Sequence, residues 1–214
     1  YRFSKAWSIR VGRQNLMRGE GFVLFDGSSG DGSRTAYFNA LDLTFAWSRS
    51  TLEFMAISDP SKDKYLPRIN EAKASEGPQR LNEWDEQALG LYYTNRERPG
   101  TTLEAYTFLK TERHDYRPIT NPQFQPDRRI ATLGSRLVQE FRDGWSVNGE
   151  FAYQWGKQDG RPGTLEGSRD ISAWGGYGRV KKALDAPWKP VFSVGYIALS
   201  GQDPNSGRIT AWDP

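Results

Sequence analysis

The stretch Trp145–Trp155, which reads WSVNGEFAYQW, gives the clearest evidence for the fold class of this 214-residue chain. Apolar, aromatic or small residues stand at every second position, and mostly polar ones stand between them. Successive side chains of a β-strand point to opposite sides, so a period of two is the pattern of a strand with one apolar and one polar face. The stretch is therefore predicted to be a strand of a sheet whose two faces differ chemically.

Eight further segments show the same alternation, and no segment shows a convincing helical pattern. Together with the stretch above they make nine predicted strands. These are Trp7–Gln14, Thr35–Trp47, Thr51–Ser58, Glu86–Asn95, Thr101–Lys110, Ile130–Phe141, Trp145–Trp155, Ile171–Lys181 and Val191–Ser200.

The connections between the predicted strands alternate strictly between short and long. The short ones are 48–50, 96–100, 142–144 and 182–190, and the long ones are 15–34, 59–85, 111–129 and 156–170. The short connections contain turn residues, such as Pro99-Gly100 and Asp143-Gly144. Tight turns at one end and extended loops at the other are typical of a transmembrane β-barrel.

The length of the predicted strand Trp145–Trp155 agrees with this interpretation. At about 3.3 Å per residue and a tilt near 40°, its two tryptophans lie roughly 25 Å apart along the membrane normal. That is the height of the lipid-facing band of such barrels. A polar barrel interior also explains why the mean hydropathy is −0.74 although 14% of the residues are aromatic.

We therefore predict an all-β, antiparallel transmembrane β-barrel. Single-chain bacterial barrels have an even number of strands, and nine is odd. We expect residues 1–214 to be one incomplete barrel domain with strands missing on both sides. The soluble alternative is a carbohydrate-binding β-sandwich, in which the aromatic residues would form the core.

Three local patterns resemble the alginate export family of outer-membrane β-barrels. The first patterns are Ile9–Gln14, read as IRVGRQ, and the Gly-rich segments Gly19–Gly21 and Asp31–Arg34. The last is Val194–Asp203, which runs into the aromatic-Asp-Pro step at Trp212–Pro214. The chain departs from the family's Ser-Gly-Asp pattern at position 202, where glutamine precedes Asp203.

The resemblance implies an outer-membrane location in a Gram-negative bacterium and a barrel of about eighteen strands. It also implies passive passage of an anionic polysaccharide such as alginate, or of small anionic solutes. The outer face would contact outer-membrane lipid and lipopolysaccharide, and periplasmic partners are not identified. A general porin without polysaccharide specificity is the alternative function.

Ten charged residues are the candidates for lining the channel. The basic ones are Arg10, Arg13, Arg34, Lys110, Arg113 and Arg136, and the acidic ones are Asp42, Glu53, Glu104 and Glu150. A guanidinium binds a carboxylate through two parallel hydrogen bonds and keeps its charge, which suits the recognition of uronates. The alternative is that these residues pair with each other across neighbouring strands and make the wall rigid.

Other functional classes find little support in the sequence. A barrel enzyme would need His114, the single histidine, beside a nucleophile, and no plausible nucleophile accompanies it. Asp26 and Asp31 suit a calcium-binding loop, but Asp-Gly runs are usually turns. The segment Pro60–Arg80 suits either an external loop or one folded into the pore. We predict no catalytic residue, no cofactor, no metal site and no nucleic-acid partner.

Overall fold

The computed structural model describes residues 1–25, 38–60, 62–63, 79–80, 84–114, 126–160 and 165–213. The described residues form one nine-stranded antiparallel sheet and a separate short strand pair, β4 with β5. The strands are β1 (Trp7–Gln14), β2 (Phe38–Trp47), β3 (Ser50–Asp59), β4 (Lys62–Asp63), β5 (Gln79–Arg80), β6 (Trp84–Asn95), β7 (Thr101–His114), β8 (Arg128–Glu140), β9 (Trp145–Gln158), β10 (Arg169–Ala183) and β11 (Val191–Leu199). The order in the large sheet is β1-β2-β3-β6-β7-β8-β9-β10-β11.

All nine predicted strands are present, and the predicted all-β class is confirmed. Several strands are longer than predicted. The strand predicted to end at Lys110 continues to His114, and the next begins at Arg128 instead of Ile130. Polar residues occupy both faces in these extensions, so the hydrophobic pattern fades although the backbone pairing continues.

Four short connections bring the turns β2–β3, β6–β7, β8–β9 and β10–β11 to one end of the sheet, here called the short-turn end. Three of these turns contain a non-glycine residue with positive φ: Ser48 at 48°, Asp143 at 62° and Lys189 at 44°. Such left-handed residues reverse the chain within a few positions. The four short turns alternate along the chain with the longer connections, as predicted.

The two faces of the sheet differ in composition. One, the apolar face, presents side chains such as Leu133 and Phe151, which are 57% and 53% exposed. In the described part of the chain no second sheet covers this face, whereas a β-sandwich would bury it. The opposite face, the polar face, holds buried Asp42, Glu104 and Glu150. Among the described residues, no helix is long and apolar enough to cross a membrane.

A segment of the first long connection, residues 15–25, lies across the polar face and is here called the strap. Leu16 is fully buried, and Leu24 is buried with it in the hydrophobic cluster of the protein. The cluster members from the sheet include Met55, Tyr92 and Phe108. The buried core therefore lies between the strap and the sheet, on the same side as the buried charges.

Candidate functional site

Three clusters of charged side chains occupy the polar face, and the first joins β1, β2 and β3 to the strap. Arg10 and Arg18 both donate to the same oxygen of Asp42, each at 2.9 Å. Arg18 also donates to Glu53 at 2.5 Å. The Asp42 side chain is 4% exposed, whereas that of Arg10 is 55% exposed. Arg10 therefore holds a buried carboxylate and still faces solvent.

The second cluster is a row across β7, β8, β9 and β10, whose register places Glu104, Arg136, Glu150 and Tyr177 side by side. Arg136 donates to Glu104 at 2.7 Å and to the hydroxyl oxygen of Tyr177 at 3.2 Å. The Tyr177 hydroxyl in turn donates to Glu150 at 3.1 Å. One guanidinium is thereby connected to carboxylates on both neighbouring strands.

Two stacked tyrosines support the second cluster from the next row of the sheet. The rings of Tyr92 and Tyr106 are 5.3 Å apart and nearly parallel. Tyr92 donates to Glu104 at 3.1 Å, and Tyr106 donates to Glu150 at 2.7 Å. Each buried carboxylate therefore accepts at least two hydrogen bonds, which offsets the cost of removing its charge from water.

The third cluster lies towards the long-loop end of β7 and β8. Glu112, which is almost fully buried, pairs with Lys110 at 2.9 Å and with Arg128. Arg128 also binds Asp213 at 2.5 Å, in the chain segment that follows β11. That segment folds over the polar face, where Trp212 stacks on Phe22 of the strap at 5.4 Å.

The strap bends at Gly19-Glu20-Gly21 and places opposite charges on two sides of the polar face. Gly19 and Gly21 have φ of 60° and 80°, in the left-handed region that favours glycine. Arg18 reaches the carboxylates of β2 and β3. Glu20 reaches Asn148 at 2.5 Å, Arg136 at 3.9 Å and also Arg179 of β10.

The ten residues predicted to line a channel are placed as follows. Seven lie on the polar face, in the three clusters: Arg10, Asp42, Glu53, Glu104, Lys110, Arg136 and Glu150. Arg13 and Arg113 lie at the long-loop ends of β1 and β7, where the register assigns both to the apolar face. Arg13 lies in a strand as predicted, whereas Arg113, predicted in the connection 111–129, is also a strand residue. Arg34 lies outside the described residues.

Three of the predicted basic residues form ion pairs with carboxylates of the polar face. Arg10, Lys110 and Arg136 each hold a carboxylate of the polar face. Their role in binding a solute stays a prediction.

Several residues of the clusters were not predicted from the sequence. They are Arg18, Glu20, Tyr92, Tyr106, Glu112, Arg128, Tyr177, Arg179 and Asp213. Those that lie in strands are separated by even numbers of positions from the polar-face residues of the same strand. This spacing alone could have predicted that they lie on the polar face. The strap residues carried no such signal, because their partners are distant in the sequence.

The remaining candidates do not form a second site in the described structure. His114 is the last residue of β7, and its backbone pairs with Trp84. Asp26 and Asp31 lie outside the described residues, as does most of Pro60–Arg80. Within the described ranges, no group of three or more acidic or histidine side chains is arranged to hold a metal ion.

Comparison with known proteins identifies the family. The profile of the alginate export family matches residues 64–214, which is most of the chain and includes the predicted Val194–Asp203 pattern. Searches of curated proteins and of solved structures found no match. The matched region contains the second and third charge clusters almost completely. The chain therefore belongs to the alginate export family.

Proposed function

We propose that this chain forms part of the wall of an outer-membrane β-barrel that passes an anionic polysaccharide or smaller anionic solutes. The observation that carries the proposal is the division of one long antiparallel sheet into an exposed apolar face and a charged polar face. Family membership supports it, because the alginate export family is an outer-membrane family of the transport type. Residues 1–214 would then be one part of a larger barrel of about eighteen strands.

The apolar face suits contact with lipid. Aromatic side chains pack against each other at two levels of this face: Trp7 contacts Phe45, which stacks on Trp47, near the short-turn end, and Tyr153 stacks on Trp155 farther along β9. Aromatic girdles of this kind mark the two interfaces of outer-membrane barrels. Outer-membrane lipid and lipopolysaccharide are the partners proposed for this face.

The polar face suits weak, repeated contacts with a passing polyanion. Its guanidiniums already hold carboxylates, so a uronate would have to compete with Asp42 or Glu104 for the same donors. Competition of this kind keeps each contact weak, and conduction requires binding that is weak enough for release. Arg10 is the most accessible of these donors, because just over half of its side chain is exposed.

Planar-bilayer recording of the full-length protein tests the proposal. We expect conductance with a reversal potential that indicates anion preference, and block of the current by oligouronates. The control is a neutral oligosaccharide of equal length, which should block less. A conducting channel without anion preference would contradict the assignment of the substrate.

A general porin is the second candidate, and the internal pairing of the wall charges favours it. Arg10, Arg128 and Arg136 each contact a carboxylate, so the polar face carries little unpaired positive charge in these rows. For a general porin, neutral and anionic oligosaccharides would block equally at equal length. The same recording therefore separates the two functions.

A further inference from the structure

An open groove lies on the polar face at the short-turn end, away from the three charge clusters. Its volume is about 570 Å³. Arg49 of the β2–β3 turn and Arg96 and Arg98 of the β6–β7 turn line it. Glu140 is the acidic residue in its lining, and the rest is mostly small, threonine or serine. We call this space the short-turn groove.

The arginines of the short-turn groove differ from those of the clusters. All three are exposed. Among the described residues, the side chains of Arg96 and Arg98 make no ion pair, whereas Arg136 binds buried Glu104 and Arg18 binds buried Asp42. The carboxylate between them in sequence, Glu97, accepts hydrogen bonds from Ser48, from Ser50 and from the backbone of Arg49. The Arg96 and Arg98 guanidiniums therefore keep their donors available for a ligand.

The groove continues towards the strap. A second open space of about 710 Å³ shares Thr51 and Arg96 with the first. Its lining also includes Arg10 and Arg18 from the first cluster, together with Asp42, Glu53 and Glu104. The space lined by the exposed guanidiniums at the short-turn end therefore adjoins a second space on the same face. In that second space the guanidiniums are partly neutralised by carboxylates.

We propose that the short-turn groove is a capture site for a carboxylate-bearing sugar chain, with Arg96 and Arg98 as its principal donors. The proposal rests on the proposed function and adds the place at which the polyanion first binds. Arginine forks match carboxylates in geometry, and several weak contacts along one polymer act together. From there the chain would pass to Arg10, where carboxylates of the wall compete for the donors and promote release.

The first test is asymmetric block in planar bilayers. An oligouronate added to the short-turn side should block the wild-type channel, and the double variant Arg96→Gln/Arg98→Gln should need about fivefold more of it, as expected for the loss of two exposed charge contacts. The matched control is Arg142→Gln/Lys189→Gln, which removes the same charge from two other short turns. Its block should equal that of the wild type.

The second test locates the contact directly. With ¹⁵N-arginine labelling, titration of the detergent-solubilised full-length protein with a hexa-uronate should shift the Nε–Hε signals of Arg96 and Arg98 before those of Arg136. A neutral hexasaccharide should leave all of them in place. Equal shifts with the neutral sugar would overturn the recognition of carboxylates.

The outcomes separate this inference from the proposed function. Block by oligouronate that is unchanged in Arg96→Gln/Arg98→Gln overturns the capture site while the channel function stands. An equal loss of block in Arg142→Gln/Lys189→Gln also overturns it, because the effect would then follow total charge. Conductance that responds to no oligouronate from either side overturns the proposed function itself.

Discussion

At the scale of single residues, Glu97 is a carboxylate held in place by its own turn. It accepts hydrogen bonds from the Arg49 backbone N–H at 3.1 Å, the Ser48 hydroxyl at 3.0 Å and the Ser50 hydroxyl at 3.2 Å. The Arg49 backbone contact is the largest cause that lowers the pKa of Glu97 below its ordinary value of 4.5, and the hydroxyl of Ser48 follows. These hydrogen bonds stabilise the charged form.

A pH titration followed by carboxyl ¹³C NMR checks this pKa. A carboxyl group whose pKa is lower in the folded state stabilises the fold fully above its unfolded pKa. That contribution is lost as the pH falls through the folded pKa. We expect Glu97 to titrate below 4.5, and Ser48→Ala to move its pKa upward. A wild-type pKa at or above the ordinary value would contradict the hydrogen bonding described here.

Gly134 is a second residue of interest, because the absence of a side chain there leaves space for a neighbouring ring. The ring of Tyr106 lies directly over it, and a Cβ at this position would overlap the ring. We expect Gly134→Ala to displace Tyr106 and weaken its 2.7 Å hydrogen bond to Glu150. The cost should be about 1–3 kcal/mol of unfolding free energy, as for other overpacked sites.

Denaturant unfolding of the protein folded in detergent measures this cost. Gly178→Ala is the matched control in the neighbouring part of the sheet, because no described atom lies within 4 Å of a Cβ built there. Its effect should stay within about 0.5 kcal/mol. Equal stability of the two variants would show that the ring of Tyr106 does not need the space above Gly134.

At the scale of elements, the strap is the feature that narrows the space over the polar face. Arg18 is one of its attachments to the sheet and binds both Asp42 and Glu53. Arg18→Glu would bring a third carboxylate next to these two. We expect the strap to leave the sheet, the single-channel conductance to rise, and the stability to fall by about 1–3 kcal/mol, because Glu53 loses the Arg18 donor and three carboxylates then stand together.

Bilayer recording of Arg18→Glu beside Arg18→Lys tests the role of the strap. Lysine keeps the charge but not the fork, so its conductance should stay closer to the wild-type value. An unchanged conductance in Arg18→Glu, with the protein still folded, would mean that the strap does not limit the pore.

The strands were predictable from the sequence, whereas the strap was not. In β9 the residues Trp145, Phe151 and Trp155 are separated by even numbers of positions, so the alternation of the strand places all three on one face. In the strap, apolar and polar residues do not alternate with a regular period. Arg18 and Glu20 are separated from their partners by up to 159 positions, and a pattern that depends on neighbouring residues contains no trace of such contacts.

The assignment of residues to the polar face could be predicted more fully than the hydrogen bonds between these residues. Glu104 and Arg136 were both assigned to one face, and they lie side by side in the register. Which strand neighbours which follows from the antiparallel order, but the contact of Tyr177 with Glu150 depends on the exact stagger of β9 and β10. Stagger is set by the backbone ladder, and the alternation of residue types restricts it only to steps of two.

At the scale of the whole molecule, the exposed apolar face should behave as a lipid-contacting surface. Leu133 stands near the middle of β8 on this face and is 57% exposed. An arginine there would place a charge against hydrocarbon, so Leu133→Arg should destabilise the protein folded in bilayers by about 2–4 kcal/mol.

Unfolding from lipid vesicles measures this effect, with Leu133→Ala as the smaller, uncharged comparison. In water, an arginine at an exposed position changes stability by no more than about 0.5 kcal/mol. A neutral Leu133→Arg variant in vesicles would therefore contradict the contact between this face and lipid.

The contacts of the strap with residues far along the sequence also affect the order in which the chain folds. Glu20 binds Asn148 and Arg179, which stand 128 and 159 positions later in the sequence. The strap therefore lacks the partners of Glu20 until β9 and β10 have joined the sheet. Contacts of such long sequence separation form late, because the intervening chain must be ordered first. We therefore expect the segment next to the first strand to dock only after most of the sheet has formed.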